Sequence, residues 1–271
     1  MAGVSPAAAG GCNQPATCRH GTLLFNRHDQ YIGRSLALYG EYSEDELRLL
    51  APLLRPGDTV VEAGANLGAH TLPLARAVGP AGRVLAFEPQ RLVFQLLCAN
   101  AALNSLTHVD ARQAALGAAP GVLRVPPLPP DRAANFGGVS LSVDGPGETV
   151  PVLPMDALDL PACRLLKADV EGMESAVLEG ARQTLARCRP VLYVENDRPT
   201  QSAALIALML ELGYRLWWHL PPLFRPDNWR GEAHDVFPGI VSINLLGLPA
   251  EWGADVAGLR PVHGPEDDWR G

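Results

Sequence analysis

Lysine is almost missing from this chain. Lys167 is the only one in 271 residues, so arginine supplies the rest of the 22 Lys and Arg positions. The phosphate loop of nucleotide hydrolases needs Gly-Lys-Ser/Thr, and no such triplet occurs. An enzyme working through a lysine Schiff base would have to use Lys167 itself. Basic charge is short as well: 29 Asp and Glu leave a net charge of −7. That is the opposite of the basic face a phosphate backbone demands, so no role on nucleic acid is expected. The five cysteines are odd in number and scattered at 12, 18, 98, 163 and 188, which is not a disulfide framework. Reduced thiols and a cytoplasmic location are expected. Cys12, Cys18 and His20 fit no common zinc spacing, and no metal is expected. Long apolar runs are missing too. The stretch 203–210 is far short of the roughly 20 residues that span a bilayer. The first cation is Arg19, so the charged start of a secretory signal is not seen and no membrane partner is expected.

What is present is an alternation of strand-like and helix-like segments. Residues 1–22 are small and rich in Pro, Gly and Ala, which predicts a loose tail. Short apolar pieces at 22–27 and 30–32 suit strands. Ser43 with Glu46 has capping-box spacing, and Leu47, Leu50 and Leu54 recur on one face, predicting a helix ended by Pro52 and Pro56-Gly57. Thr59-Val60-Val61 is a β-branched run leading into Glu62-Ala-Gly64-Ala-Asn66-Leu-Gly68 and a further helix. The segment 83–87 is a strand, 92–104 an amphipathic helix and 108–115 a third strand. This β-α-β-α-β series with short connections predicts a doubly wound parallel sheet. Residues 117–151, dense in Pro and Gly, break the rhythm as a β-rich insertion. A strand at 164–168, a helix at 174–185, a strand at 190–194 and a helix capped by Thr200 follow. Two last strands, at 214–220 and 239–246, suit an antiparallel edge hairpin. The expected division is a lead-in with a helix over 1–56, a main domain over 57–248 and a surface tail over 249–271.

In such a sheet ligands bind beyond the carboxyl ends of the strands. The residues there are Glu62, Gly64, Asn66 and Gly68; Glu88; Ala114; Asp169, Glu171 and Gly172; and Glu195, Asn196 and Asp197. Four acidic strand ends make a poor cradle for phosphate and a good one for hydroxyls and a cation. Glycines let the backbone bend sharply, and the helix that follows offers free amides to a carboxylate. Glu88 is placed to bind both hydroxyls of a ribose. A nicotinamide site shares that acid, but the dinucleotide fingerprint has glycine where Asn66 stands. A nucleoside carrying an amino acid, which describes S-adenosylmethionine, suits these residues better.

The strings VVEAGANLGAHT (60–71), VLAFEPQ (84–90), LLKADVEGME (165–174) and VLYVEND (191–197) resemble the FkbM family of S-adenosylmethionine-dependent methyltransferases. Glu62 departs from the aspartate more usual in that family. The resemblance implies an α/β, Rossmann-like class I methyltransferase fold: a seven-stranded, mostly parallel sheet with helices on both faces and the last strand antiparallel. It also implies methyl transfer to a hydroxyl of a small molecule or sugar. Carried over by position, Glu62, Gly64, Asn66 and Gly68 line the methionine end of the cofactor, and His70 and Thr71 help hold its carboxylate. Glu88 takes the ribose and Ala114 lies near the adenine. Asp169 and Glu171 stand at the methyl group as candidate catalytic residues, Asp169 also as a cofactor contact. His219 and His234 are alternative bases. The loop 135–138, the aromatic loop from His219 through Trp229, and Tyr31 with Ile32 are candidate walls of the acceptor pocket. The aromatic loop suits a homodimer contact equally well. Two rival functions remain at this point, a nicotinamide-dependent oxidoreductase and a non-catalytic binding module.

Overall fold

The computed structural model describes residues 11–270. In chain order the strands and helices are β1 (Asn13–Cys18), β2 (Gly21–Asn26), α1 (Ile32–Leu38), α2 (Glu44–Leu50), β3 (Thr59–Ala63), α3 (Thr71–Val78), β4 (Arg83–Phe87), α4 (Arg91–Leu103), β5 (Val109–Arg112), β6 (Ala115–Leu116), β7 (Gly121–Val125), β8 (Glu148–Leu153), β9 (Leu165–Ala168), α5 (Glu174–Glu179), α6 (Arg182–Cys188), β10 (Val191–Glu195), α7 (Pro199–Glu211), β11 (Tyr214–His219), β12 (Asn244–Pro249) and β13 (Arg260–Pro261).

The central sheet runs β13-β11-β12-β10-β9-β3-β4-β5. Strands β5, β4, β3, β9 and β10 pair in parallel, and β12 enters antiparallel between β10 and β11. This is the class I methyltransferase arrangement the sequence implied. The eighth strand, β13, is a two-residue addition at the edge beside β11. The inner strands are buried on both faces, which is why they read as nearly unbroken apolar runs. One face packs Leu47, Leu50, Leu72, Leu74, Leu96 and Leu97 from α2, α3 and α4 against Val60, Val84 and Leu165. The other packs Val177, Leu185, Leu205, Ile206 and Met209 from α5, α6 and α7 against Val61, Leu85, Leu166 and Leu192. The strand order reverses at β3, flanked by β4 and β9, and ligands are expected above such a switch point.

Several expectations need correction. The loose tail was placed over 1–22, but β1 pairs with β2 along its whole length. The polar string Asn-Gln-Pro-Ala-Thr-Cys carries no strand pattern of its own, and its partner supplies the order. Residues 1–10 of that expected tail lie outside the described residues. Residues 30–32 open α1 instead of forming a strand. Ser43 does not cap α2 through its side chain. It sits at φ 43°, and its Oγ donates to Glu46 Oε1 at 2.8 Å. The helix expected over 174–185 breaks at Gly180, where a Cβ would lie 2.0 Å from the Gly117 carbonyl oxygen. Arg198, not Thr200, stands at the N-cap of α7. The expected surface tail folds back: β13 pairs with β11, and Val256 and Leu259 pack on the core. The insertion makes its own sheet, β6-β8-β7, while the expected strand near 139–143 reduces to one bridge, Arg124 to Ser142.

Candidate active site

A cavity of about 360 Å³ opens above the switch point. Glu62, Gly64, Asn66, His70, Glu88, Ala114, Asp169 and Glu171 line it, so eight of the ten residues named from the sequence converge. Gly68 and Thr71 do not reach it. Gly68 faces inward, where an added Cβ would meet Leu97 at 3.0 Å and Leu72 at 3.3 Å. Thr71 is fully buried behind Glu62, and its Oγ1 donates to Glu62 Oε2 at 2.6 Å, so it orients that acid from below.

The turn after β3 is built by backbone constraints. Gly64 has φ +79°, and a Cβ there would lie 1.8 Å from the Asp169 carbonyl oxygen. The glycine therefore admits the loop after β9, which carries the acids. Asp169 N in turn donates to Ala63 O at 3.1 Å. Asn66 takes φ 49°, a conformation asparagine tolerates better than most residues. Its amide donates to Glu88 Oε2 at 2.9 Å, and Gln90 N donates to Glu88 Oε1 at 2.7 Å. Each Glu88 oxygen is thus fixed by one amide and retains acceptor capacity toward the cavity. Burial pushes Glu88 up to about 7 against the pull of those amides.

The loop after β9 is held by Glu174, a residue the sequence reading passed over. Its Oε1 accepts from Val170 N and Gly172 N, both at 3.1 Å. Glu171 sits at φ 56° and pairs with Arg198. Burial first, and Asp169 second, push Glu171 up to about 7. Asp169, Glu171 and Glu195 bring one carboxylate oxygen each within 4.8 Å of the others. Glu195 is raised by burial and by those neighbours, and its Oε2 is buried without a hydrogen-bond partner among the described residues. Three acids so placed attract positive charge. Asn196 turns away to Ser202 Oγ at 2.8 Å, and Asp197 stands 3.4 Å from Arg198 Nε.

Below them lies Lys167, 2% exposed, with Nζ 3.4 Å from Asp169 Oδ2. The sequence had noted it only as a lone lysine; no local motif announces that four acids surround it. Glu62 is pushed up to about 7 by burial, with Lys167 and Thr71 pulling it down. Burial and then Lys167 drive His70 down to about 3, so its ring is neutral; Nε2 is buried without a partner among the described residues.

The acceptor walls agree in part with expectation. Tyr31 and Ile32 line the cavity, as do Asn135, Gly137 and Gly138, whereas Phe136 turns into the core. Leu223 of the aromatic loop lines it together with Ile240–Asn244. Val139 and Leu141 add apolar surface. Neither histidine offered as an alternative base reaches the cavity. His219 Nδ1 meets the Tyr193 hydroxyl at 2.7 Å below the sheet end, and His234 is exposed outside the cleft.

The residues present fit S-adenosylmethionine: fixed acceptors for a ribose, an acidic wall for a cation, and small residues near Ala114. The family model described as a methyltransferase FkbM domain matches residues 62–216, more than half of the chain. The protein belongs to the FkbM methyltransferase family. Its methyl donor is accordingly S-adenosylmethionine, and the nicotinamide reading is set aside. Among FkbM relatives, the 31-O-demethyl-FK506 methyltransferase FkbM of Streptomyces tacrolimicus is 31% identical over 227 residues, covering 71% of this chain and 86% of that one. Methyltransferase sdnD of Sordaria araneosa is 38% identical over 186 residues, covering 56% and 71%. Two solved structures are more distant. An FkbM methyltransferase from Methylobacillus flagellatus KT is 19% identical with a TM-score of 0.46, covering 70% of this chain and 43% of that one. The O-methyltransferase TomG from Streptomyces achromogenes is 14% identical with a TM-score of 0.47, covering 76% and 79%. Among the described residues no helix is long and apolar enough to cross a membrane.

Proposed function

We propose that this FkbM methyltransferase methylates a hydroxyl oxygen on a small molecule or sugar. The observation that carries the reading is one cavity with two unlike walls. Acids from four strand ends face Tyr31, Ile32, Val139, Leu141, Leu223, Ile240 and Ile243. An acidic floor repels phosphorylated acceptors and long nucleic acids, and the apolar rim suits an uncharged organic molecule. One relative's name, a 31-O-demethyl-FK506 methyltransferase, supports an oxygen acceptor on a small molecule.

When bound, S-adenosylmethionine supplies an electrophilic methyl group on a sulfonium. The chain's own residues do the rest. Glu88 would accept from the two ribose hydroxyls. Glu62 and Asp169 would face the ammonium, with Gly64, Asn66 and neutral His70 shaping the wall beside it. Ala114 leaves room for the adenine. Asp169 and Glu171 line the cavity where their carboxylates would face the acceptor hydroxyl, and the pair would accept its proton. The main domain over 57–248 carries this chemistry, with Tyr31, Ile32 and Tyr42 ahead of it serving as part of the wall.

The test is release of S-adenosylhomocysteine from purified protein offered neutral alcohols, sugars and sugar phosphates. Turnover with neutral hydroxyl compounds and none with phosphorylated ones is expected. Cofactor binding without turnover on any acceptor would leave the chain a binding module instead, and methyl found on nitrogen would overturn the oxygen assignment.

A further inference from the structure

The only lysine of the chain is placed where no buried cation is cheap. Lys167 lies on β9 opposite Glu62 of β3 and Tyr193 of β10 in the parallel ladder. Its ammonium has three donors, and its hydrogen-bond partner among the described residues is Asp169 Oδ2 at 3.4 Å, a long contact. Glu46 of α2, 3% exposed and tied to Ser43, lies 3.8 Å from Nδ1 of His70, a residue of the cavity wall. The cavity is lined by two Lys or Arg side chains, Lys167 and Arg198, and Arg198 is engaged by Glu171 and Asp197. Lys167 is therefore the counter-charge available to Glu46 and Glu62. Two buried carboxylates, Glu46 and Glu62, beside one ammonium are costly to assemble, since unpaired buried charge is expensive. A compact ammonium fits between neighbouring strands where a planar guanidinium does not.

We propose that Lys167 is a positioning residue for the cofactor: its buried ammonium is the counter-charge beside Glu46 and Glu62 and holds Asp169 turned toward the cavity, so that the wall suits a cationic ligand. The proposal rests on the cavity being the cofactor site. The groups facing this pair are Glu46 from α2, Tyr42 just ahead of it, His70 ahead of α3, Asp169 after β9, and Tyr193 and Glu195 on β10. His219 on β11 lies behind Tyr193. Burial raises Glu46 and Glu62, and Lys167 opposes both. Lys167 itself is raised by Asp169, Glu46, Glu62 and Glu195 against burial, so it stays charged across the working range.

The sign follows directly. Without the ammonium, Glu46 and Glu62 release their protons only at higher pH, so the anionic wall forms later. Without Glu46, Glu62 loses a like-charged neighbour and ionises at lower pH. The experiment is calorimetric titration of S-adenosylmethionine from pH 5 to 9 into wild type, Lys167→Met, Glu46→Gln and the double variant. The pH below which affinity falls should move up by about one unit or more in Lys167→Met. It should move down in Glu46→Gln and return toward wild type in the double variant. Affinity of Lys167→Met at pH 7 should drop about tenfold or more. A merely structural lysine would lower the melting temperature without moving that pH limb, and this result overturns the proposal. If Lys167→Met does not fold, Glu46→Gln decides alone: an unmoved limb overturns the proposal. Wild type that ignores S-adenosylmethionine at every pH sinks the cofactor site itself, whereas binding with unmoved limbs sinks only the role of Lys167.

Discussion

At the scale of single residues, the site is a set of acids held at a cost. Glu62 is the clearest case, 1% exposed and pushed to about 7 by burial. In the unfolded chain it ionises near the ordinary glutamate value, so between that value and about 7 the unfolded state gives up its proton first. Folding stability therefore falls as pH rises through this window, and the penalty is complete above it. Glu62→Gln keeps an acceptor for Thr71 and removes the charge. The free protein should become more stable at pH 8, by on the order of 3 kcal/mol, and little changed at pH 4, as read by urea unfolding at the two pH values. The same variant should bind S-adenosylmethionine at least about tenfold more weakly at pH 8, because the ammonium loses its partner. Glu88→Gln tests the opposite end of the cofactor. One of its two fixed acceptors becomes a donor that faces an amide, so the ribose loses bidentate recognition. Calorimetry should show an affinity loss of about tenfold or more with a folded protein by circular dichroism.

At the scale of elements, two loops are locked into each other, and glycine makes that possible. The turn after β3 admits the Asp169 carbonyl only because Gly64 lacks a Cβ. Gly64→Ala combines a steric clash of backbone with a side chain at positive φ. It should destabilise the fold by about 2–4 kcal/mol and abolish measurable cofactor binding, since Asp169 and Glu171 move with their loop. Unchanged melting temperature and affinity would show that the loop after β9 is not held this way. The same pair of loops marks how far the sequence could be read. The inner parallel strands β3, β4, β9 and β10 were legible because each is a short, mostly apolar run between turn signals, buried on both faces. The acids at their ends were legible because strand ends in this architecture converge by construction. Thr71 and Gly68 were misplaced because a residue two or three positions away on a tight turn can face either way. Glu174 was invisible because its role is to satisfy two amides of a loop whose shape only the fold defines. The edge strand β13 owes its order to β11, distant in sequence, and β1 is a polar string ordered by the adjacent β2, so neither carries a strand pattern of its own.

At the scale of the whole molecule, the question is how the lead-in is joined to the catalytic sheet. Asn100 of α4 is fully buried and does this work with one side chain. Its Oδ1 accepts from Leu24 N at 2.6 Å, and its Nδ2 donates to Leu24 O at 2.9 Å and to Leu67 O at 2.8 Å. The first two bonds dock the β1–β2 hairpin as an edge strand docks on a sheet; the third reaches the glycine turn beside Asn66. Hairpin, α4 and cofactor loop are therefore one hydrogen-bonded unit, and disturbance in the lead-in has a direct route to the site. Asn100→Ala leaves three backbone groups without this partner in a region water enters poorly. The expected cost is about 3 kcal/mol of folding stability, since unmade buried hydrogen bonds cost roughly 1–3 kcal/mol each and relaxation recovers part of it. Hydrogen exchange should quicken together at Leu24 and in the turn following Leu67, and affinity for S-adenosylmethionine should weaken. Exchange that quickens at the hairpin alone, with the turn and the affinity unchanged, would mean that the lead-in is fastened to α4 without bearing on the site.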